Sequence, residues 1–245
     1  MQSTLDARDL ALRLLTKKSE RDLQKTVGAS QISDPCTYHL AVAMLPRFEQ
    51  ESESKYWLGA KIGTAIHYLL ESFIEDADLE DFPELKGAKV EEKIHLGTIE
   101  GYGEINSKPD LVLVEDKHLI DWKTTSRQKS KKLQFAFDYP DKAEADSLYT
   151  VQKYMAQAQL YAWGLNKSGI EIENLSLVFI NRDGTTSNDV WSHTFEYSEE
   201  FAVAIWDRFE NIWNLLQDYA NIEDMARDPS CFKCKSHKFV DTVLT

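Results

Sequence analysis

Apolar residues recur at helical spacing near the start of the chain. Leu10, Leu14 and Leu15 lie among charged positions and predict an amphipathic helix from Leu5 to about Lys25. Gly28-Ala-Ser-Gln breaks that pattern. Ser33-Asp34-Pro35 predicts a new helix start, with Asp34 as cap and Pro35 in the first turn. This helix carries Cys36, His39 and Met44 and stops at Pro46; a polar connector fills 47–55. Trp57 to about Ile74 predicts the next helix, with Leu58, Ile62, Ile66, Leu69 and Phe73 on one face.

After an acidic stretch, Glu75–Glu84, the period changes to alternation. β-Branched residues predict strands near 89–96, 98–105, 109–114 and 118–124. Residues 125–145 are polar and are expected to be mostly loop. A helix follows at about 147–167. Leu175–Arg182 reads as a strand closed by a turn at Asp183-Gly184, and a further strand is expected near 189–196. Ser198 to about Tyr219 predicts a long helix, capped by Ser198 with Glu199 and Glu200 in its first turn. Strands grouped between helices predict an α/β fold: a mixed β-sheet flanked by helices, not a doubly wound one.

Composition narrows the class. The 245 residues suffice for one large domain with a real core. Only 10 are glycine, which favours the long helices above. The formal net charge is −13, against coating nucleic acid by bulk charge but not against a locally basic site. No stretch is long and apolar enough to span a bilayer, so no membrane partner is expected. Asp6, Arg8, Asp9 and Arg13 interrupt any signal-peptide core, and three cysteines are an odd count for a secreted disulfide framework. A cytoplasmic protein is expected. No Walker loop or GxGxxG is present, so nucleotide hydrolysis has no support.

The candidate chemistry begins at Ile120-Asp121-Trp122-Lys123. Residues two apart on a strand share a face, so Asp121 and Lys123 lie together. If Val114–Lys117 form a four-residue hairpin loop, Asp110 falls opposite Asp121. Two converging carboxylates are costly unless a cation lies between them. His67 follows Gly63 by one turn, and an imidazole leaning over a glycine has room for a ligand. Glu71 lies one turn further on. Imidazole with carboxylates suits Mn²⁺ or Mg²⁺. Gln157 and Tyr161, four apart, share a helical face; an amide and a phenol can orient a lysine or touch a phosphate.

Taken in order, Gly-Thr-Ala-Ile-His67, Pro-Asp110, Asp121-Trp-Lys123 and Gln157-x-x-x-Tyr161 resemble the RecB-like branch of the PD-(D/E)XK nucleases. That branch includes CRISPR-associated adaptation nucleases and stand-alone phage exonucleases. The chain departs from it in lacking a glycine just before Asp110; Gly101 and Gly103 lie further upstream. The resemblance implies a restriction-endonuclease-like fold, with a helical region over 1–55, a nuclease core over 56–196 and a C-terminal helix and cysteine tail over 197–245. It implies that His67, Asp110, Asp121 and the Trp122 backbone carbonyl hold the metal. Lys123 would position water and stabilise charge on the phosphate, supported by Gln157 and Tyr161.

Some members of this branch clamp an iron–sulfur cluster between one N-terminal cysteine and three C-terminal ones. Cys36, Cys231 and Cys234 match three of these, and His237, with His39 as second choice, is available as the fourth. Zinc, a [4Fe-4S] cluster and plain reduced thiols all fit this spacing. Arg127, Lys129, Lys131 and Lys132 follow the Asp-x-Lys strand and are either a grip on the DNA backbone or a solvated loop. The resulting expectation is a metal-dependent DNA exonuclease in recombination, repair or phage replication, with any unwinding left to a helicase partner. A single-strand or structure-specific endonuclease, and an inactive DNA-binding adaptor, are the alternatives.

Overall fold

The computed structural model describes residue 8, residues 27–45 and 57–217, residues 222–232 and residue 234. Apart from Arg8, the helix expected over Leu5–Lys25 lies outside these residues, as do the connector 47–55 and His237. Six helices and seven strands carry the described fold. They are α1 (Ala29–Ile32), α2 (Thr37–Met44), α3 (Trp57–Glu75), β1 (Lys89–Val90), β2 (Ile94–Ile99), β3 (Gly103–Ser107), β4 (Leu111–Leu113), β5 (His118–Thr125), α4 (Arg127–Asp138), α5 (Ala145–Lys167), β6 (Asn174–Asn181), β7 (Val190–Glu196) and α6 (Glu199–Gln217).

The expected mixed sheet is present. Five strands run in the order β1-β4-β5-β6-β7, and β2-β3 form a separate hairpin. β5 and β6 are parallel and the other pairs are antiparallel. A parallel pair needs a long crossover, which α4 and α5 supply. Leu119 on β5 and Leu175, Leu177 and Phe179 on β6 are fully buried beneath them.

The helix α5 is the spine of the molecule. Ala158, Leu160, Ala162, Trp163 and Leu165 are all buried, so this helix is enclosed on several sides. It packs against α4, α6, the β2–β3 hairpin and the central sheet. Two glycines allow the close approach of the hairpin. A Cβ on Gly164 would stand 2.7 Å from Leu96, and one on Gly97 would stand 2.5 Å from the Trp206 ring.

Several elements differ from the sequence reading. The strands expected at 89–96 and 98–105 are cut elsewhere: β1 stops at Val90, and the hairpin turns at Gly101. Gly101 and Gly103 have φ of 75° and 116°, which glycine adopts at little cost. The stretch read as loop contains α4. Ser126 caps it by accepting from the Lys129 N–H. Its buried stripe is only Ser130, Leu133 and Ala136, too sparse to stand out among charged neighbours.

Asp34 is not a helix cap. The following helix starts at Thr37 with Cys36 at the cap position. Asp34 is instead a buried hub, 3.0 Å from His39 Nδ1 and 2.8 Å from Lys153 Nζ, and it accepts from the Tyr149 hydroxyl. Burial opposes its ionisation, but His39 and Lys153 outweigh it and hold the carboxyl well below the usual range.

On α3 the apolar stripe does not face the sheet. Leu58, Ile62, Leu69 and Phe73 are between 41% and 62% exposed. The face that closes on the sheet is made of small residues four apart. A Cβ on Gly59 would strike Arg182, and one on Gly63 would stand 2.7 Å from Thr124 Oγ1. His67 continues this face by one more turn.

Candidate active site

The site is assembled by strand register. Leu111 pairs with Ile120, Val112 with Leu119 and Leu113 with His118. Continuing one residue puts Asp110 opposite Asp121, with residues 114–117 as the turn, as the sequence reading expects. Asp110 Oδ2 accepts from the Trp122 N–H at 2.7 Å, fixing it against β5. Its Oδ1 lies 3.0 Å from His67 Nδ1, which α3 delivers from above. The room over Gly63 is not left for a ligand, however, because the Thr124 hydroxyl takes it.

Lys123 Nζ lies 2.5 Å from Asp121 Oδ2 and donates to Gln157 Oε1 at 2.9 Å. Gln157 Nε2 donates in turn to the Tyr161 hydroxyl at 2.7 Å. The ammonium also sits 4.8 Å from the centroid of the Tyr154 ring. All six of His67, Asp110, Asp121, Lys123, Gln157 and Tyr161 line one cavity of about 600 Å³. Lys93 and Lys108 stand on its wall. An adjoining cavity of about 500 Å³ shares His67, Lys123 and Gln157 and reaches Arg182.

The electrostatics are those of a strained carboxylate pair. Asp121 is 2% exposed. Burial, then the neighbouring Asp110, pushes its carboxyl up to about 7, although Lys123 pulls the other way. For Asp110 burial also opposes ionisation, but the hydrogen bond and charge of His67, with Lys123, hold it below the ordinary range. Burial disfavours the charged forms of His67 and Lys123, yet Asp110 and Asp121 respectively outweigh it and raise both. Burial and the two carboxylates raise the Tyr161 phenol.

Asp121 Oδ2 supports a cation in a further way. It is buried, and the Lys123 ammonium lies 2.5 Å from it. Carboxylates and an imidazole around it are the donor set of a hard or borderline divalent ion.

Sequence reasoning missed two residues here. Tyr154 lies over the lysine, one turn before Gln157. Glu91, placed by the sequence reading inside a strand, offers a carboxylate oxygen within 4.8 Å of donor atoms on His67 and Asp110. Glu71, the carboxylate expected near His67, is not in that group. Only the register of the short β1 with β4 could have pointed to Glu91.

The three cysteines converge as expected. Donor atoms of Cys36, Cys231 and Cys234 lie within 4.8 Å of one another, and Cys36 Sγ is 3.5 Å from Cys234 Sγ. His39, already bonded to Asp34, is grouped with Asp34 and Cys231. The basic residues sit on a helix and are not equivalent. Arg127 is held by Asp189 through two hydrogen bonds of 2.7 and 2.8 Å, so its guanidinium is committed within the protein. Lys132 pairs with Glu144 on the surface, and Lys129 and Lys131 are exposed.

Neither a protein-family model nor a curated protein matches the sequence. Solved structures do. The chain is similar to SSO0001, at 16% identity over 86% of this chain and 88% of that one, with a TM-score of 0.50. It is also similar to an alkaline exonuclease (LHK-Exo) from Laribacter hongkongensis, at 14% identity over 81% and 90% with a TM-score of 0.41. A phage-related exonuclease from Haemophilus somnus 129PT matches at 13% identity over 82% and 99%, with a TM-score of 0.37. At 16% identity the likeness to SSO0001 is one of fold. Among the described residues no helix is long and apolar enough to cross a membrane.

Proposed function

We propose that the chain is a divalent-metal-dependent deoxyribonuclease of the RecB-like PD-(D/E)XK type that acts on DNA ends as an exonuclease. The observation that carries this reading is the buried Asp110–Asp121 pair, with the Lys123 ammonium 2.5 Å from Asp121 Oδ2. His67, Asp110 and Asp121 would hold Mg²⁺ or Mn²⁺, with the Trp122 carbonyl as a further ligand. Bound there, the ion would supply an activated water and polarise a phosphoryl oxygen.

The protein groups have separate tasks. Gln157 and Asp121 hold the lysine ammonium from two sides, and Tyr161 fixes which end of the Gln157 amide faces it. The ammonium stands where charge grows on the phosphate. Lys93 and Lys108 on one wall and Arg182 beyond the other offer cations to flanking phosphates. Lys129 and Lys131 are available to a longer duplex, and Arg127 serves the fold instead. End-labelled linear and circular DNA, incubated with Mn²⁺, Mg²⁺ or EDTA, tests the reading. We expect loss of label from linear DNA with either metal and none in EDTA. Cleavage of closed circles at the same rate would replace exonuclease by endonuclease, and cleavage in EDTA would sink the metal-dependent site.

The cysteines constitute a second, structural site in this reading. Tetrahedral zinc with bonds of about 2.3 Å separates its sulfurs by about 3.8 Å. The 3.5 Å between Cys36 and Cys234 is close to this. Cys36 and Cys231 are buried, which suits a structural ion. Elemental analysis of protein purified without oxygen is expected to find either zinc or iron with sulfide bound to the chain. Finding neither leaves three reduced thiols and removes the site.

A further inference from the structure

We infer that Glu91 is a further ligand of the divalent cation, so that three carboxylates in a row across three strands, not two, face it. This rests on the proposed metal-dependent reading of the site. β1 pairs with β4 through Lys89 with Val112 and Val90 with Leu111. One step further sets Glu91 beside Asp110, and the Glu91 N–H donates to the Asp110 carbonyl at 3.3 Å. The same step on the other side of β4 sets Asp110 beside Asp121. Glu91, Asp110 and Asp121 therefore form one cross-strand row on β1, β4 and β5.

The spacing suits a small ion. Octahedral bonds of about 2.1 Å put neighbouring donors about 3 Å apart and opposite donors about 4.2 Å apart. His67 Nδ1 and Asp110 Oδ1 are 3.0 Å apart, and the Glu91 oxygen completes a group whose members all lie within 4.8 Å. Asp121 lies outside this group of three and is next in the same cross-strand row, with Asp110 between it and Glu91.

The backbone at Glu91 adds a second argument. Its φ is 47°, a left-handed conformation that a glutamate adopts only against a steric penalty. Among the described residues the other non-glycine at positive φ is Lys117, which closes the β4–β5 turn. Glycine would serve better at position 91 if only the turn mattered. A glutamate under strain there marks the position as one where the side chain matters.

Calorimetric titration of the full chain with Mn²⁺, without DNA, tests this, together with melting in EDTA. Glu91→Gln should weaken Mn²⁺ binding about tenfold or more and leave the EDTA melting temperature unchanged. Glu91→Gly should weaken binding as much while raising that melting temperature, because the left-handed backbone is relaxed. Wild-type Mn²⁺ affinity in both variants overturns the role of Glu91 and leaves the other ligands standing. Weaker binding with a lowered melting temperature in both makes Glu91 structural and overturns it too. A wild-type chain that binds no Mn²⁺ overturns the metal-dependent reading, and Glu91 with it.

Discussion

Lys123→Ala should lower the rate of DNA cleavage by about 10²–10³, the usual effect of removing one group that stabilises transition-state charge. The argument is positional. The ammonium is held by Asp121 on one side and Gln157 on the other, and the Tyr154 ring lies 4.8 Å away. It therefore has a fixed place and needs no rearrangement when charge develops. A cation does not ligate a cation, so Mn²⁺ affinity should stay within a few-fold of wild type. Ground-state DNA affinity depends on many phosphate contacts, and losing one should shift it little. The split between a large loss in turnover and small changes in binding marks an interaction made mainly in the transition state. Lys123→Arg should not restore activity, since a planar guanidinium does not fit the slot cut for an ammonium. Cleavage, Mn²⁺ titration and DNA binding measured separately on each variant decide the matter. A Lys123→Ala protein degrading DNA at the wild-type rate would falsify the assignment of β5 as the catalytic strand.

The parts of this site that the sequence disclosed are those set by strand periodicity. Asp121 and Lys123 share a face because they are two apart, and Asp110 meets Asp121 because a four-residue turn fixes the register. Both follow from local geometry, so one sequence suffices. Glu91 escaped because β1 has two residues, too few for any alternation to show. Helix α4 escaped because its cap and three buried residues are diluted by six charged or amide side chains among Arg127, Gln128, Lys129, Lys131, Lys132 and Gln134.

Helix α3 shows a limit of another kind. The hydrophobic pattern was real, but the helix closes on the sheet through Gly59 and Gly63, where backbones can approach. Periodicity reports which residues form a stripe and not which stripe faces the neighbour. Asp34 misled for a similar reason. Ser-Asp-Pro is a common helix start, but the carboxylate accepts from the Cys36 N–H just before the helix and is otherwise taken by Lys153 and His39, so it does not cap the helix that starts at Thr37.

The second large effect is expected from Asp121→Asn, in two opposite directions. Metal binding should be lost and cleavage with it, because an amide oxygen is a far weaker ligand than a carboxylate for a hard cation. Stability without metal should rise. In EDTA the folded protein must bury the Asp121 carboxyl beside that of Asp110. Its carboxyl is pushed from 3.8 up to about 7 by burial first and Asp110 second. A raised folded value means that the favourable contribution is complete below about pH 4 and is lost as pH climbs through 7. Above that window the wild type carries the cost of the buried charge, partly offset by Lys123. Asparagine keeps the shape and removes the charge. The variant should therefore melt above wild type in EDTA at pH 8, by the relief of the carboxylate pair less what Lys123 loses with its partner, and level with it at pH 4. Adding Mn²⁺ should reverse the order, stabilising wild type by mass action and leaving the variant unmoved. Melting curves of both proteins at pH 4 and pH 8, with EDTA or Mn²⁺, read all four states. An Asp121→Asn protein that melts below wild type in EDTA at pH 8 and still responds to Mn²⁺ would show a carboxylate serving the fold, with the cation held elsewhere.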